Sequence, residues 1–243
     1  MLVEAINFHL LSRKESDRPV FGLSGIGSCK RKLAYLHHKV AAKPLSARSK
    51  IIFDDGHVTH EHLRSWLAAG LLDSKSCYTL VDLEREVTLG GTKGHIDGIL
   101  FHSTSCQEKD HKTRLLEVKS MNNRAFKEFQ KTKIPSFEYA AQMSAYLRAT
   151  GLQEAYVLAK DKDRATLVEA IYPIDNDLID NRQKAVEEVR KSSSPEMVQR
   201  EYGPSDKGVL PWNCGYCPFV ELCWRHEGVI EIAEHVYKVT KHV

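Results

Sequence analysis

The chain has 243 residues, of which 42% are hydrophobic and 28% charged, and its formal net charge is +3. No apolar run reaches the roughly 20 residues that a membrane-spanning helix needs, and charges interrupt the apolar residues near the N-terminus, so we expect neither an integral membrane protein nor a secretory signal. The composition predicts a cytoplasmic globular protein with one sizeable core and a small appendage.

The spacing of apolar residues predicts helices interleaved with strands. In chain order we expect helices at 29–42 and 54–70, strands at 81–89, 94–102 and 114–120 that form a meander, helices at 122–131 and 136–150, strands at 154–160 and 166–173, and a helix at 175–202. Gly90-Gly91 is predicted to form a turn, and the polar residues 102–113 a hairpin loop. This order is typical of an α/β core. From Gly203 onward the chain is rich in Gly, Pro and Cys before a predicted final helix.

A basic stretch runs from Arg18 to Phe53 and contains no acidic residue. Its lysines and arginines are Arg18, Lys30, Arg31, Lys32, Lys39, Lys43, Arg48 and Lys50. Such a local positive field can neutralise the phosphates of a nucleic-acid strand, and a solvated helix face is the alternative interpretation.

Three charged residues lie within apolar, strand-like segments: Asp97 in GHIDGIL, and Glu117 and Lys119 in LLEVKS. Residues two apart in a strand point to the same face, so Glu117 and Lys119 flank one point. Charges are rarely placed deep in such strands unless they pair or coordinate a metal. A carboxylate can hold Mg²⁺ or Mn²⁺, and an ammonium can steady an attacking water or the charge on a phosphoryl oxygen. The pattern therefore favours a metal-dependent phosphodiesterase site, and a surface strand that carries Glu-x-Lys for purely structural reasons is the alternative.

The helix predicted at 54–70 carries a polar stripe at helical spacing, made of His57, His60, Glu61 and Arg64. The opposite side, with Leu63, Trp66 and Leu67, is expected to face the core. One histidine of the stripe can then reach a metal held by the strand carboxylates, whereas a lone helical histidine can also be purely structural.

Two residues of the helix at 136–150, Gln142 and Tyr146, are four apart and share one face. Their amide and phenol can orient water, Lys119 or a phosphate. The alternative is core packing of Tyr146 together with Tyr139 and Met143.

Four motifs occur in a fixed order: GxxxHE at 56–61, GHxD at 94–97, ExK at 117–119 and QxxxY at 142–146. Together they resemble the RecB-like branch of the PD-(D/E)XK nuclease superfamily. With Cys29 and the C-terminal cysteines, the chain is similar to the iron-sulfur members of that branch, the CRISPR-associated RecB-like exonuclease family and its viral stand-alone relatives. The resemblance covers about residues 22 to 226.

The resemblance implies a restriction-endonuclease-like α/β fold, with a central mixed sheet flanked by helices and a C-terminal iron-sulfur segment closed by an N-terminal cysteine. It implies an N-terminal helical segment at 1–53, a RecB-like nuclease core at 54–202, and a cluster-binding segment with a final helix at 203–243. The polar insert at 102–114 departs from compact members of the family.

The resemblance also assigns roles to single positions. The implied ligands of a Mn²⁺ or Mg²⁺ ion are His60, Asp97, Glu117 and the backbone carbonyl of Val118. The implied catalytic set is Asp97, Glu117, the lysine Lys119, and the accessory pair Gln142 and Tyr146. The implied DNA-binding residues are Lys30, Arg31 and Lys32.

The cysteines of the chain are Cys29, Cys77, Cys106, Cys214, Cys217 and Cys223. In a cytosolic chain, clustered cysteines bind metal more often than they form disulfides. The three C-terminal cysteines can be completed by Cys29, as four thiolates for a 4Fe-4S cluster, or by His226, as a Cys₃His zinc site. The resemblance favours the 4Fe-4S cluster. We expect Cys77 and Cys106 to be free thiols.

The function implied is that of a metal-dependent DNA exonuclease that hydrolyses phosphodiester bonds of single-stranded or frayed ends. The implied settings are CRISPR adaptation, an antiviral defence, or viral DNA recombination and processing, with CRISPR integration or recombination proteins as partners. One alternative is a DNA-end-binding or assembly subunit of a CRISPR integration complex with little activity alone. Another is a restriction-type endonuclease, which fits the QxxxY helix and the cysteines poorly.

Overall fold

The computed structural model describes residues 2–13, 21–103 and 112–240. The predictions for Arg18, Cys106 and 104–111 fall outside these residues. The helices are α1 (Leu2–Ser12), α2 (Lys30–His37), α3 (Ala47–Asp73), α4 (Asn123–Thr132), α5 (Phe137–Thr150), α6 (Asn176–Lys191), α7 (Trp212–Gly215) and α8 (Val220–Cys223). The strands are β1 (Tyr78–Val81), β2 (Glu86–Leu89), β3 (Thr92–His95), β4 (Gly98–His102), β5 (Arg114–Met121), β6 (Glu154–Asp161), β7 (Leu167–Pro173), β8 (Val229–Ala233) and β9 (Val236–Val239).

The chain divides into two compact units. The described parts of unit 1 are residues 2–13, Gly22–Gly27 and Ser46–Asp180, and those of unit 2 are Phe21, Ser28–Leu45 and 181–240. Unit 2 therefore contains Cys29 together with the C-terminal cysteines. The division falls inside α6, and it groups residues 28–45 with the C-terminal part of the chain.

Unit 1 is built on a five-stranded sheet in the order β1-β4-β5-β6-β7, with β2 and β3 as a separate hairpin. The β5–β6 pair is parallel and the other pairs of this sheet are antiparallel. The parallel pair is joined through α4 and α5, because a parallel connection needs a crossover. The prediction of a central mixed sheet with flanking helices is confirmed.

The central strand β5 separates two layers of unit 1. Leu116 and Val118 are buried and cluster with Leu63 of α3 on one face of the sheet. Glu117 and Lys119 alternate with them and point to the other face, where Lys119 contacts Gln142 of α5. The alternation in LLEVKS thus places a charged pair on the face of the sheet that α5 covers.

Two of the predicted strands are each broken into two. The strand expected at 81–89 is interrupted at 82–85, where Asp82 and Glu84 have φ of 54° and 52°. The strand expected at 94–102 is interrupted at 96–97, where the Ile96 N–H donates to the Arg85 carbonyl at 3.1 Å. The expected meander is therefore β1-β4-β5 with a β2–β3 hairpin inserted, and the Gly90-Gly91 turn closes that hairpin as predicted.

The helix predictions are correct in place but not in length. The helix expected at 54–70 is α3, which begins earlier because the Ser46 side chain accepts a hydrogen bond from the Ser49 N–H at 3.1 Å and caps it. The helix expected at 175–202 ends at Lys191, just before the Ser192–Pro195 break. The prediction of a final helix is wrong for the described residues, because β8 and β9 form a hairpin there.

Unit 2 has a small core of its own. Its buried members are Leu210, Val220, Trp224, Tyr237 and Val239. The three C-terminal cysteines pack against this cluster. Tyr35 of α2 stacks on Phe219, with ring centroids 5.0 Å apart, so α2 is packed onto the cysteine-bearing segment of the same unit.

One cysteine prediction is wrong. Cys77 is disulfide-bonded and not a free thiol, whereas Cys29, Cys214, Cys217 and Cys223 are free. The prediction for Cys106 lies outside the described residues. No helix in the described part of the chain is both long and apolar enough to cross a membrane.

We expect Gly215→Ala to destabilise unit 2. A Cβ at Gly215 would lie 2.0 Å from the carbonyl oxygen of His235, so α7 or the β8–β9 turn has to move. The expected loss is about 1 to 3 kcal/mol in the free energy of unfolding, measured by urea denaturation. Gly203→Ala is the control, because a Cβ there meets no heavy atom within 4 Å, and it should change stability by less than about 0.5 kcal/mol. Equal stability of the two variants would contradict this close contact.

Candidate active site

Asp97 lies in the break between β3 and β4, at the point where the β4–β5 ladder ends. The last paired residues of that ladder are Gly98 and Leu116. Two residues further along β5, the Val118 N–H donates to Oδ2 of Asp97 at 2.7 Å, so the side chain takes the place of the missing strand partner. The N–H and carbonyl of one strand residue point to the same side, so the Val118 carbonyl is directed toward the side of Asp97.

Two side chains of α3 contact the other oxygen of Asp97. Nδ1 of His60 is 3.2 Å from Oδ1, and Nη1 of Arg64 is 3.5 Å from the same atom. Arg64 also pairs with Glu84. Burial opposes ionisation of Asp97, but its contacts with His60 and Val118 outweigh burial and hold the pKa of this carboxyl below its ordinary value.

Glu117 and Lys119 form a buried ion pair on β5. Glu117 is 1% exposed and Lys119 is 9% exposed, and Oε1 of Glu117 contacts Nζ of Lys119. The pKa of Glu117 is raised to about 6. Burial is the largest cause, the charge of Lys119 opposes it, and the charge of Asp97 adds to it. Oε2 of Glu117 is buried and has no hydrogen-bond partner among the residues that the structure describes. A buried carboxylate oxygen without a donor is rare unless a further ligand belongs there.

The ammonium of Lys119 is held from three sides. Besides Glu117, Oε1 of Gln142 accepts a hydrogen bond from Nζ at 3.1 Å, and Nζ lies 4.6 Å from the centre of the Tyr139 ring. Burial lowers the pKa of Lys119, but the charge and hydrogen bond of Glu117 outweigh it and raise the pKa. Lys119 therefore stays an ammonium. Of the groups that Gln142 was predicted to orient, the structure shows Lys119 in contact with it.

Tyr146 lies beneath this pair, one helical turn after Gln142. It is buried, and burial followed by the charge of Glu117 raises its pKa, while a hydrogen bond with Gln142 opposes them, so it stays a neutral phenol. Gly94 of the GHxD motif makes room for the ring: a Cβ at that position would lie 2.8 Å from Cε1 of Tyr146 and 2.8 Å from Cβ of Leu23. Gly94 is therefore needed for packing around the site.

The structure brings together His60, Asp97, Glu117, Val118, Lys119, Gln142 and Tyr146, all in unit 1. Two further residues contact this site: Arg64, which was predicted only as part of the polar stripe, and Tyr139, which was predicted as core packing. Their signal was spacing, since Arg64 follows His60 by four residues and Tyr139 precedes Gln142 by three.

Other residues of the α3 stripe lie away from these contacts. His57 and Glu61 are exposed. The prediction that Trp66 faces the core is wrong, because it is 59% exposed and stacks on His62. Trp66 follows Leu63 by three residues, which is less than a full helical turn, so it lies to one side of the buried position of Leu63.

The donor chemistry fits a hard divalent cation. The residues described contain no group of three or more His, Cys, Asp or Glu side chains that is arranged to hold a metal ion. The unpartnered Oε2 of Glu117, the Asp97 carboxylate, the Val118 carbonyl and the His60 ring nevertheless offer oxygen and nitrogen donors of the kinds that Mg²⁺ and Mn²⁺ accept.

The four free cysteines all belong to unit 2. Cys29 immediately precedes α2, where Arg182 donates to the Ser28 carbonyl at 2.6 Å and Glu201 accepts from the Lys30 N–H. Cys214 lies in α7 and Cys223 ends α8. Burial raises the pKa of Cys214 to about 12, and the charges of Cys217, Cys223 and Cys29 also raise it.

Cations and a hydrogen-bond donor surround these sulfurs. A hydrogen bond from Arg200 and the charge of Arg31 lower the pKa of Cys223 against burial, and Lys32 does the same for Cys217. The net shift of both thiols is still upward, with burial as the largest cause. His226 instead accepts a hydrogen bond from Nε of Arg225 at 3.1 Å at the exposed surface.

The predicted DNA-binding residues lie at the start of α2, and they differ in how far their side chains are engaged in contacts within unit 2. Nζ of Lys30 pairs with Glu188 at 2.7 Å, and Arg31 donates to the backbone carbonyls of Val198 and Glu196. Two of the three side chains are thus engaged within unit 2. The assignment of all three to DNA stays a prediction.

No protein-family model matches the chain, and no curated protein matches it. The crystal structure of SSO0001 is similar with a TM-score of 0.50 and 19% sequence identity, over 92% of this chain and 96% of that chain. This likeness concerns the fold alone, and it agrees with the mixed α/β architecture.

Two further solved structures are similar at lower scores. An alkaline exonuclease (LHK-Exo) from Laribacter hongkongensis has a TM-score of 0.47 and 16% identity, over 77% of this chain and 90% of that chain. A phage related exonuclease from Haemophilus somnus 129PT has a TM-score of 0.40 and 13% identity, over 67% of this chain and 78% of that chain. Scores below 0.5 support no statement about this chain.

We expect Lys119→Met to destabilise the protein by about 3 to 5 kcal/mol, because it leaves the Glu117 carboxylate buried without its counter-charge. The double variant Glu117→Gln, Lys119→Met should recover a large part of that loss, since neither charge is then buried alone. The measurement is the free energy of unfolding in urea of both single variants, Lys119→Met and Glu117→Gln, and of the double variant.

The control is Lys93→Met, which breaks an exposed pair with Glu86 at 2.8 Å and should change stability by less than about 1 kcal/mol. Additive effects of the two single substitutions at 117 and 119 would show that the pair is not energetically coupled.

Proposed function

We propose that the chain is a metal-dependent DNA exonuclease that hydrolyses phosphodiester bonds of single-stranded or frayed ends. The observation that carries the proposal is the buried carboxylate oxygen Oε2 of Glu117, which lacks a partner although it lies beside Lys119 and close to Asp97. A carboxylate of this kind costs free energy in a merely structural protein, and a divalent cation would satisfy it.

The proposed cation ligands are His60, Asp97, Glu117 and the carbonyl of Val118. A bound Mg²⁺ or Mn²⁺ would supply Lewis-acid polarisation of a phosphoryl oxygen and acidify a water molecule. Asp97 is pre-positioned for this role, because the Val118 N–H fixes one of its oxygens and His60 the other. Fixed ligands keep their geometry without reorganisation when the substrate arrives.

Lys119 has the proposed role of stabilising the charge that develops on the phosphoryl group. Its ammonium is buried, stays protonated, and is oriented by Gln142 and the Tyr139 ring. In such a low-dielectric surrounding, a fixed positive charge acts more strongly than in water. Tyr146 forms a hydrogen bond with Gln142 and remains neutral, so it adds no competing charge.

The substrate and the biological setting rest on the motif resemblance. It suggests DNA ends as the substrate, and CRISPR adaptation or viral DNA recombination as the setting, with the corresponding integration or recombination proteins as partners. The proposed compartment is the cytoplasm, because four of the five described cysteines are free thiols, although the disulfide of Cys77 is a bond that oxidising compartments favour.

The first test is cleavage of 5′- and 3′-end-labelled single-stranded DNA, next to closed circular DNA, with Mg²⁺ or Mn²⁺. We expect linear strands to shorten and circles to survive. Glu117→Gln should lower the rate at least about a hundredfold, because it removes a negative oxygen ligand while keeping the side-chain shape.

Glu86→Gln is the matched control, since Glu86 is exposed and lies in the β2–β3 hairpin. It should cleave like the unchanged chain. Cleavage by Glu117→Gln at the parental rate would end the active-site assignment. Binding of DNA ends without cleavage under any metal would instead favour the end-binding or assembly subunit.

We also propose that Cys29, Cys214, Cys217 and Cys223 hold a 4Fe-4S cluster. Support comes from the mutual electrostatic influence of these four cysteines within unit 2, and from the cations Arg200 and Arg31, which offset the negative charge of thiolates. Four thiolates are the usual ligand set of such a cluster. A bound cluster would tie α2 to the C-terminal segment of unit 2, and thus contribute to folding.

Metal content after anaerobic purification separates the cluster from zinc. For a 4Fe-4S cluster we expect about four iron atoms per chain and a brown protein, with loss of iron in Cys29→Ser and retention in His226→Ala. A zinc site would give the opposite pattern, with one zinc per chain that is retained in Cys29→Ser and lost in His226→Ala. A colourless, zinc-loaded preparation would refute the cluster.

A further inference from the structure

Unit 2 exposes a short stack of aromatic rings beside its cysteine segment. The rings of Trp212 and Tyr216 have centroids 6.4 Å apart at an interplanar angle of 66°. The rings of Tyr216 and His235 are 4.5 Å apart at 26°, which is a stacked arrangement. Trp212 is 66% exposed and Tyr216 is 67% exposed, so the three rings form a surface feature.

The backbone of unit 2 holds these rings in place. Trp212 begins α7 and the Tyr216 N–H donates to the Trp212 carbonyl at 3.2 Å, which sets the two side chains one helical turn apart. The close approach of Gly215 to the His235 carbonyl brings the β8–β9 turn onto α7. The His235 N–H is bonded to Oε1 of Glu231 at 2.9 Å, which fixes that turn. The stack therefore exists before any ligand binds.

The exposed rings are not needed for the core of unit 2. That core is filled by other aromatic side chains, Trp224 and Tyr237, which are buried. Large aromatic side chains that remain in water forgo the stabilisation that their burial gives, and a cluster of them marks an interaction surface. Their polar edges, an indole N–H, a phenol and an imidazole, suit a partner that is flat and polar at its rim.

The charge of unit 2 favours an anionic partner. Its described residues carry thirteen lysines and arginines against nine acidic residues. The charges at the rings themselves are mixed. Glu234 lies 3.8 Å from the His235 ring, and Glu231 accepts a hydrogen bond from the His235 N–H, which together with the charge of Lys43 lowers the pKa of Glu231. A nucleic-acid strand combines flat bases with an anionic backbone, and single strands bind by base stacking on aromatic rings together with positive charge.

We propose that Trp212, Tyr216 and His235 form a stacking platform that holds bases of a single nucleic-acid strand. The proposal deepens the proposed function, because it assigns the strand a contact on unit 2 in addition to the cleavage site on unit 1. It differs from that function in one respect: the platform requires bases but no bound Mg²⁺ or Mn²⁺ and no cleavage.

The test is fluorescence-anisotropy binding of the full chain carrying Glu117→Gln, used with the cysteine-bound metal with which it is purified and without added Mg²⁺ or Mn²⁺. The two probes are a labelled thymidine strand of about 15 nucleotides and an abasic strand of the same length. The double variant Trp212→Ala, Tyr216→Ala should bind the thymidine strand at least about tenfold more weakly, because each lost base stack removes a sizeable part of the affinity. Its binding to the abasic strand should not change.

Trp66→Ala is the matched control, since Trp66 is also exposed and stacked on a histidine, but lies in unit 1. It should bind both strands like the parent. The double variant Trp212→Phe, Tyr216→Phe keeps flat rings and should restore most of the affinity. The iron content of each variant shows whether a change in binding comes instead from misfolding of unit 2.

Three results would overturn the platform: no binding of the thymidine strand by the parent, equal weakening on the abasic strand, or an equal effect of Trp66→Ala. If the parent chain binds through the platform but cuts no DNA, the nuclease is refuted and the platform is not. If the parent chain cuts DNA and the platform variants bind normally, the platform is refuted and the nuclease is not.

Discussion

The structure of unit 1 depends on the burial of two opposite charges, Glu117 and Lys119, on one face of the central strand. Neither charge can be buried alone, so each needs partners that other elements supply. The amide of Gln142 requires α5 to cross this face of the sheet, and the ring of Tyr139 closes the space above the ammonium. On the opposite face of the same strand, Leu116 and Val118 pack on Leu63 of α3. The alternation of the four residues from Leu116 to Lys119 thus determines what lies on each side.

Much of this could be predicted from local periodicity. The period of two in LLEVKS placed Glu117 and Lys119 together, and the period of 3.6 placed Gln142 and Tyr146 on one helical face. The break at 96–97 could not be read in the same way, because apolar residues continue across it as they would in an unbroken strand. It is set by contacts distant in sequence: the Ile96 N–H bonds to Arg85 of the neighbouring hairpin, and Asp97 replaces a strand partner of Val118.

In unit 2, the local sequence pattern predicted the chemistry better than it predicted the structure. The spacing of its cysteines was informative about chemistry, while the local pattern was misleading about structure, since the expected final helix is the β8–β9 hairpin. Short β-branched segments such as VIEIA also have helical apolar spacing, and only the packing of Tyr237 and Val239 into the small core selects the strand. The place of Cys29 follows from anchors on both sides of it, Ser28 and Lys30, which no local pattern contains.

The hydrogen bond between Asp97 and the Val118 amide changes how substitutions at position 97 should be interpreted. The carboxylate is at once a candidate ligand and the acceptor for a buried amide in the central strand. Alanine would remove both, and an amide left without an acceptor costs about 1 to 3 kcal/mol and invites β5 to shift. An inactive alanine variant would therefore not distinguish lost chemistry from a misaligned strand. Asparagine keeps an oxygen for the amide, and so separates the scaffolding of the site from its charge.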